Sequence, residues 1–122
     1  MAPAICNKIY NISLPTYLME FNKLVRDKIP DNWNPKYGKN PKTHIAEDKE
    51  FYEKLKEKLL EETKEFLRED NENEIADILE VIYALCDYKE ISKENIESIR
   101  KNREMKSGAF KKRIILEKSE ES

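Results

Sequence analysis

Leu59 to Leu85 reads LLEETKEFLREDNENEIADILEVIYAL, and the fold turns on this stretch. It divides into two candidate helices around a short polar connection, Asp70 to Asn73. Each helix carries a carboxylate pair at i,i+3: Glu62/Glu65 on the first and Glu74/Asp77 on the second. Residues three apart on a helix share a face, so each pair presents two oxygen ligands in one direction.

Position on the helical wheel separates ligands from ordinary surface acids. With about 100° per residue and Leu55 at zero, Phe51, Leu59 and Phe66 fall within about 40° of the stripe centre and Glu62 within about 20°. Glu65 flanks the stripe and Glu61 lies well to its side. A carboxylate in mid-stripe is costly unless it is paired or coordinated. This favours Glu62 and Glu65 as ligands and leaves Glu61 in a supporting position. The second helix is apolar nearly all round: from Ile75 to Cys86 only Asp77 and Glu80 are charged, which suits the middle of a bundle. Glu74 and Asp77 sit at its N-terminal end, where the helix dipole favours negative charge. Glu80 continues the same polar stripe, either behind the ligands or at the boundary.

If the two helices pack antiparallel, the pairs meet near the connection. Two like charges about 4 Å apart cost about 4 kcal/mol at an effective dielectric near 20. A divalent cation removes that cost, and an all-oxygen ligand set points to Mg²⁺, with Mn²⁺ as the other candidate. The competing reading is two solvated acidic helix faces. The mid-stripe Glu62 and the apolar second helix weigh against it.

The rest of the chain is consistent with one helical domain. It has 122 residues, 39% of them charged, with two glycines and five prolines. Turns are therefore few, and the predicted fold class is all-α. A bundle of this size with short helices is marginal alone, so a homodimer or homotetramer is expected. The formal charge is −2 with acids and bases interspersed, which gives no basic field for nucleic acid. Cys6 and Cys86 are far apart and fit no disulfide or CxxC pattern. No apolar run is long enough to span a membrane and no signal peptide is evident, so the expected location is the cytoplasm.

Residues 1–20 read as an N-terminal extension without a sustained period: an arm, a packing strap, or the product of an upstream start codon. Asn22 can cap a short helix from Lys23 to Ile29, which carries the cations Lys23, Arg26 and Lys28. Asp31 to Lys42 is a loop broken by Pro35, Gly38 and Pro41, with Trp33 and Tyr37 expected to pack on the domain rather than to stack on a base. His44, the only histidine, reads as a surface residue. The first long helix is expected over Glu47 to Glu69 and the second over Glu74 to Tyr88. Ser92 caps a third that runs to about Met105, with Ile96 and Ile99 as core contacts and Gly108 as its stop. Ile114 to Leu116 form a short segment expected to be extended, and residues 117–122 form a polar tail.

Three ordered motifs carry a resemblance. Glu61-Glu62-x-x-Glu65 followed by Glu74-x-x-Asp77 is similar to the EExxE…ExxD signature of the all-α NTP pyrophosphatase (MazG-like) superfamily. Asn22-Lys23-Leu24-Val25-Arg26-Asp27-Lys28-Ile29-Pro30 resembles the N-terminal motif of its phosphoribosyl-ATP pyrophosphohydrolase-like subgroup, and Gly108 to Ile114 resembles that subgroup's closing RGGFxKRI segment. Ser107 stands where the family has Arg and Ala109 where it has Gly, with Lys106 a nearby charge. The resemblance covers roughly residues 20–116, and the domain is placed at 21–116. It implies a MazG-like, four-helix-type bundle completed by dimerisation.

The resemblance also implies a reaction: hydrolysis between the α and β phosphates of a nucleoside triphosphate, giving monophosphate and pyrophosphate. Glu62, Glu65, Glu74 and Asp77 would hold Mg²⁺ on the phosphates, with water activated by one of these carboxylates or by the metal. Lys23, Arg26, Lys28, Lys111 and Arg113 would meet the phosphates. Such chemistry needs charge neutralisation and an in-line water more than a covalent nucleophile, and no Ser-His-Asp or Cys-His set is visible. The substrate is either phosphoribosyl-ATP or, in a house-cleaning role, a non-standard or modified (d)NTP. The alternative is a catalytically inactive helical dimer acting as an interaction or nucleotide-binding module, which the altered Ser107–Phe110 segment favours.

Overall fold

A computed structural model describes residues 5–10 and 15–122, with side chains from residue 19 onward. Three α-helices carry the chain: α1 (Asp48–Glu69), α2 (Glu72–Tyr88) and α3 (Lys93–Ser107). The all-α expectation holds for this helical part. Residues 1–20, however, contain an antiparallel hairpin. Its strands β1 (Ile5–Tyr10) and β2 (Pro15–Glu20) pair in the register Ile5↔Glu20 to Tyr10↔Pro15. Ile, Thr and Tyr favour the pleated backbone, and Pro15 sits at the first strand position, where a missing N–H is tolerated. The rest of the expected extension, residues 1–4 and 11–14, lies outside the described residues, as does the side chain of Cys6.

The chain divides into two compact units, Met1–Leu85 and Cys86–Ser122. In the first, Leu55 of α1 is 1% exposed and Val81 of α2 8% exposed. Phe51, Leu59 and Phe66, the other members of the α1 stripe, are half-buried. Asp70 ends α1 in the left-handed conformation, φ 54° and ψ 49°, and its N–H donates to the Phe66 carbonyl at 2.8 Å. Asp is among the few non-glycine residues that adopt this conformation readily. Asn71 then starts α2, its Oδ1 accepting from the backbone N–H of Asn73 at 2.9 Å and of Glu74 at 3.4 Å. Only Asp70 and Asn71 separate the helices, so α2 begins two residues earlier than the sequence indicates.

The expected helix over Lys23–Ile29 is absent. Asn22 has φ 46°, a left-handed conformation that does not cap a helix. Isolated turns follow instead, with Ile29 N–H donating to the Arg26 carbonyl and Asn32 N–H to the Lys28 carbonyl. Pro30 lacks an N–H and stops any propagation. The loop beyond it holds a short 3₁₀ turn, Pro35–Tyr37, with Asn34 Oδ1 accepting from Lys36 N–H. Trp33 is half-buried there, its Nε1–H donating to the Gly38 carbonyl at 2.9 Å and its ring edge-on to Phe21 and Tyr37.

In the second unit α2 closes at Glu90, φ 57°, with Ile91 N–H donating to the Cys86 carbonyl and Glu90 N–H to that of Asp87. This is the six-to-one and five-to-two pattern of a left-handed helix stop. Ser92 Oγ accepts from Asn95 N–H to cap α3, and Gly108 at φ 87° ends it two residues beyond Met105. Ile96 is half-buried, but Ile99 is 48% exposed and is not the core contact expected. Residues 114–122 have no regular secondary structure. No helix among the described residues is long and apolar enough to cross a membrane.

Candidate metal centre

The two-residue connection sets the last turns of α1 beside the first turns of α2. Glu62 from α1 and Glu74 and Asp77 from α2 each place a carboxylate oxygen within 4.8 Å of the others. Glu62 is 5% exposed and Glu74 8%. One oxygen of Glu74, Oε2, is buried with no hydrogen-bond partner. An unsatisfied buried acceptor costs the full desolvation of that atom, and more so when charged.

Electrostatics follow the geometry. Burial pushes the Glu74 carboxyl above its ordinary pKa, and the charges of Glu65, Glu69, Asp77 and Glu62 push it further. Burial also raises Glu62. Lys58 pulls it back, Glu65 and Asp77 add to the rise, and the net shift is upward. Glu65 lies outside the trio of closest oxygens, yet its charge bears on both buried carboxyls. Glu80, on the same helix as Asp77, is exposed and not one of that trio.

Cations border the acids. Lys23 Nζ donates to Glu61 Oε1 at 2.8 Å, and Arg26 Nη2 donates to Asp77 Oδ1 at 2.8 Å. Both come from the segment after Asn22, which is tied to α1 by Lys54 Nζ donating to the Asn22 carbonyl at 2.7 Å. Half-buried Leu24 and Val25 lie between these anchors. Lys58 Nζ stands 3.4 Å from oxygens of both Glu61 and Glu62. Burial alone would raise Glu61, but Lys23 and Lys58 outweigh it and hold that carboxyl below its ordinary value. Glu61 is therefore a paired acid beside the trio.

Two expected cations, Lys23 and Arg26, thus stand on the acidic residues themselves. Lys28 is exposed, and its carbonyl accepts from the Asn32 N–H in the turn. Lys111 and Arg113 are exposed in the second unit, Arg113 with φ 59°. His44 Nε2 meets the Glu50 carboxylate at 2.9 and 3.1 Å, an exposed pair at the start of α1. The residue missed from the sequence is Lys58. Its signal is the spacing Lys58-x-x-Glu61-Glu62, which sets one ammonium i,i+3 and i,i+4 from two acids.

Three converging carboxylates, one of them with an orphaned oxygen, form a hard, oxygen-only donor set, and this fits a divalent cation such as Mg²⁺ or Mn²⁺. Compared with family models, curated proteins and solved structures, the chain matches none.

Proposed function

We propose that the protein is a Mg²⁺-dependent nucleotide pyrophosphohydrolase of the MazG-like, phosphoribosyl-ATP pyrophosphohydrolase-like type. In this reading it cleaves the α–β phosphate bond to give a monophosphate and pyrophosphate. The observation that carries the reading is the buried, partnerless Glu74 Oε2 within 4.8 Å-spaced oxygens of Glu62, Glu74 and Asp77. A bundle needing only stability gains nothing from such an atom, whereas a metal site requires it.

Glu62, Glu74 and Asp77 hold the ion, with Glu65 as a fourth carboxylate alongside. Bound there, the ion supplies charge neutralisation for the phosphate chain. Glu61, held ionised by Lys23 and Lys58, keeps Glu62 oriented through the shared ammonium of Lys58. Arg26, exposed at the edge of the site, faces incoming phosphates. The substrate class is a non-standard or modified nucleoside triphosphate, or phosphoribosyl-ATP.

Self-association belongs to the same reading. Leu60 and Leu67 of α1 are 55% and 75% exposed, and Ile75 and Leu79 of α2 are 47% and 44% exposed. Among the described residues of the first unit, Leu55 and Val81 are the apolar side chains buried outright, a small core for its helices. A second copy covering the exposed leucines and isoleucines completes it.

The test is a nucleotide panel with Mg²⁺ and with Mn²⁺, detecting pyrophosphate and orthophosphate separately. Metal-dependent pyrophosphate release is the expected result, and the preferred nucleotide assigns the substrate. No release from any triphosphate or from phosphoribosyl-ATP, with folded protein and metal present, transfers the assignment to a non-hydrolytic binding module.

A further inference from the structure

The cations beside the carboxylates differ in how firmly they are held. Lys23 and Glu61 form a pair whose side chains are 15% and 26% exposed, and Lys58 is 10% exposed. Ordered and partly desolvated, these ammonium groups stay where they are unless the segment itself moves. The Arg26–Asp77 pair has the same 2.8 Å contact, but its side chains are 56% and 37% exposed. An ion pair this open is worth at most about 1 kcal/mol and is screened by salt. It is the one contact of the group that a competitor breaks cheaply. Asp77 is also one of the three carboxylates gathered around the orphaned oxygen of Glu74. The Asp77 carboxylate therefore has two claimants, the guanidinium of Arg26 on its Oδ1 and any cation bound among the acids.

We propose that Arg26 is an exchangeable cation. It pairs with Asp77 while the acidic site has no metal, and it moves to the phosphates of an anionic ligand once Asp77 turns to a divalent ion. Guanidinium suits both positions, because its planar fork matches carboxylate and phosphate oxygens alike. Lys23 and Lys58 remain on Glu61 throughout. The consequence is positive coupling: metal binding releases Arg26 for the phosphate chain, and phosphate binding releases Asp77 for the metal. Such coupling is reciprocal by thermodynamic necessity. The inference rests on the reading of the site as one for a metal and a polyphosphate, but its test does not require turnover.

The experiment is a calorimetric titration of inorganic pyrophosphate into metal-free wild type, Asp77→Asn, Arg26→Ala and the double variant, in EDTA at low ionic strength. Both residues are exposed enough to be changed without loss of the fold, and a thermal melt of each variant checks this. Asp77→Asn alone should tighten pyrophosphate by about two- to fivefold, the range an exposed ion pair spans. In the Arg26→Ala background the same change should do nothing. Tightening to the same extent in both backgrounds, or no tightening, overturns the proposal, because the first is a plain charge effect. A second readout is the Mg²⁺ titration of the melting temperature. Arg26→Ala should bind Mg²⁺ about two- to fivefold more tightly, since Asp77 no longer has a competitor. Unchanged or weaker Mg²⁺ binding counts against the exchange. Turnover without this coupling overturns the exchange alone. Coupling without turnover overturns the hydrolase reading alone.

Discussion

The ammonium of Lys23 lies 2.8 Å from a carboxylate oxygen of Glu61, 38 residues away, and their side chains are only 15% and 26% exposed. This contact pins a segment without regular structure to α1. Lys23→Met keeps the stem and removes the charge, leaving Glu61 with Lys58 alone. Breaking a partly buried pair from one side should cost about 1–3 kcal/mol. The check is the urea midpoint with an unchanged slope. Glu61 is held below its ordinary pKa, so its contribution is present at neutral pH and fades as pH falls through the folded-state value. The gap between wild type and Lys23→Met should therefore narrow as the medium becomes acid enough to protonate Glu61, below the ordinary carboxylate range. A constant gap down to pH 3 would argue that Lys23 acts through its stem alone.

Glu62 and Glu74 behave in the opposite sense. Their carboxyls are raised above the ordinary value by burial and by neighbouring acids. A raised carboxyl binds its proton more tightly in the folded state. Its stabilisation is complete below the unfolded-state pKa and is lost as pH rises through the folded one. Metal-free protein should thus lose stability from this pair as pH rises above the ordinary carboxylate range. Glu74→Gln, a near-isosteric neutral replacement, should flatten that slope and raise the metal-free melting temperature at pH 7.5. Melts at several pH values in EDTA decide the matter, and an unaltered slope rules out Glu74 as its source.

Divalent metal should reverse the same penalty. Saturable stabilisation by Mg²⁺ is expected at pH 7.5, about 2.7 kcal/mol when the ion is at a hundredfold its Kd. The effect should shrink at pH 5, where protons compete for the same oxygens, and should be absent in Glu62→Gln and Glu74→Gln. Equal stabilisation by NaCl at matched ionic strength would reduce it to screening.

Glu62→Gln should also abolish pyrophosphate release, at least about a hundredfold in kcat, while the circular dichroism spectrum stays that of wild type. Full retained turnover in that variant removes Glu62 from the reaction.

Leu67 is 75% exposed on α1, seven residues beyond Leu60 on the same face. Replacing both by Ser should lower the mass measured by light scattering to that of one chain, with a lower melting temperature. A wild-type mass already equal to one chain removes the self-association reading.

Much of the helical part was legible because its signals are local. Ser92 before α3, Gly108 after it and the acidic–amide connection Asp70-Asn71 are short-range chemistry, and each sits where its residue type predicts. The burial of Glu62 was legible for a related reason, since a helix wheel needs only the residues of one helix. The segment after Asn22 was not. Its cations read as part of a short helix, but two of them, Lys23 and Arg26, are satisfied by acids 38 and 51 positions away, and no local pattern encodes that. The hairpin escaped in the same way: strand pairing is a contact between segments, and residues 11–14 contain no Asn-Gly or Asp-Gly turn to announce it. Lys58 was missed although its spacing was visible, because i,i+4 acid–base pairs are usually surface features of little weight.

The two-residue connection works as a phase setting. Inserting a single residue between Asp70 and Glu72 would leave both helices free to form, yet it would loosen the angle and axial register at which α2 follows α1. Glu74 and Asp77 would then no longer be held opposite Glu62 even though every residue of the site remained in the chain. Homologous chains built on this plan should therefore vary in loop length before α1 and after α2 far more readily than at Asp70-Asn71, because only there does length itself carry the chemistry.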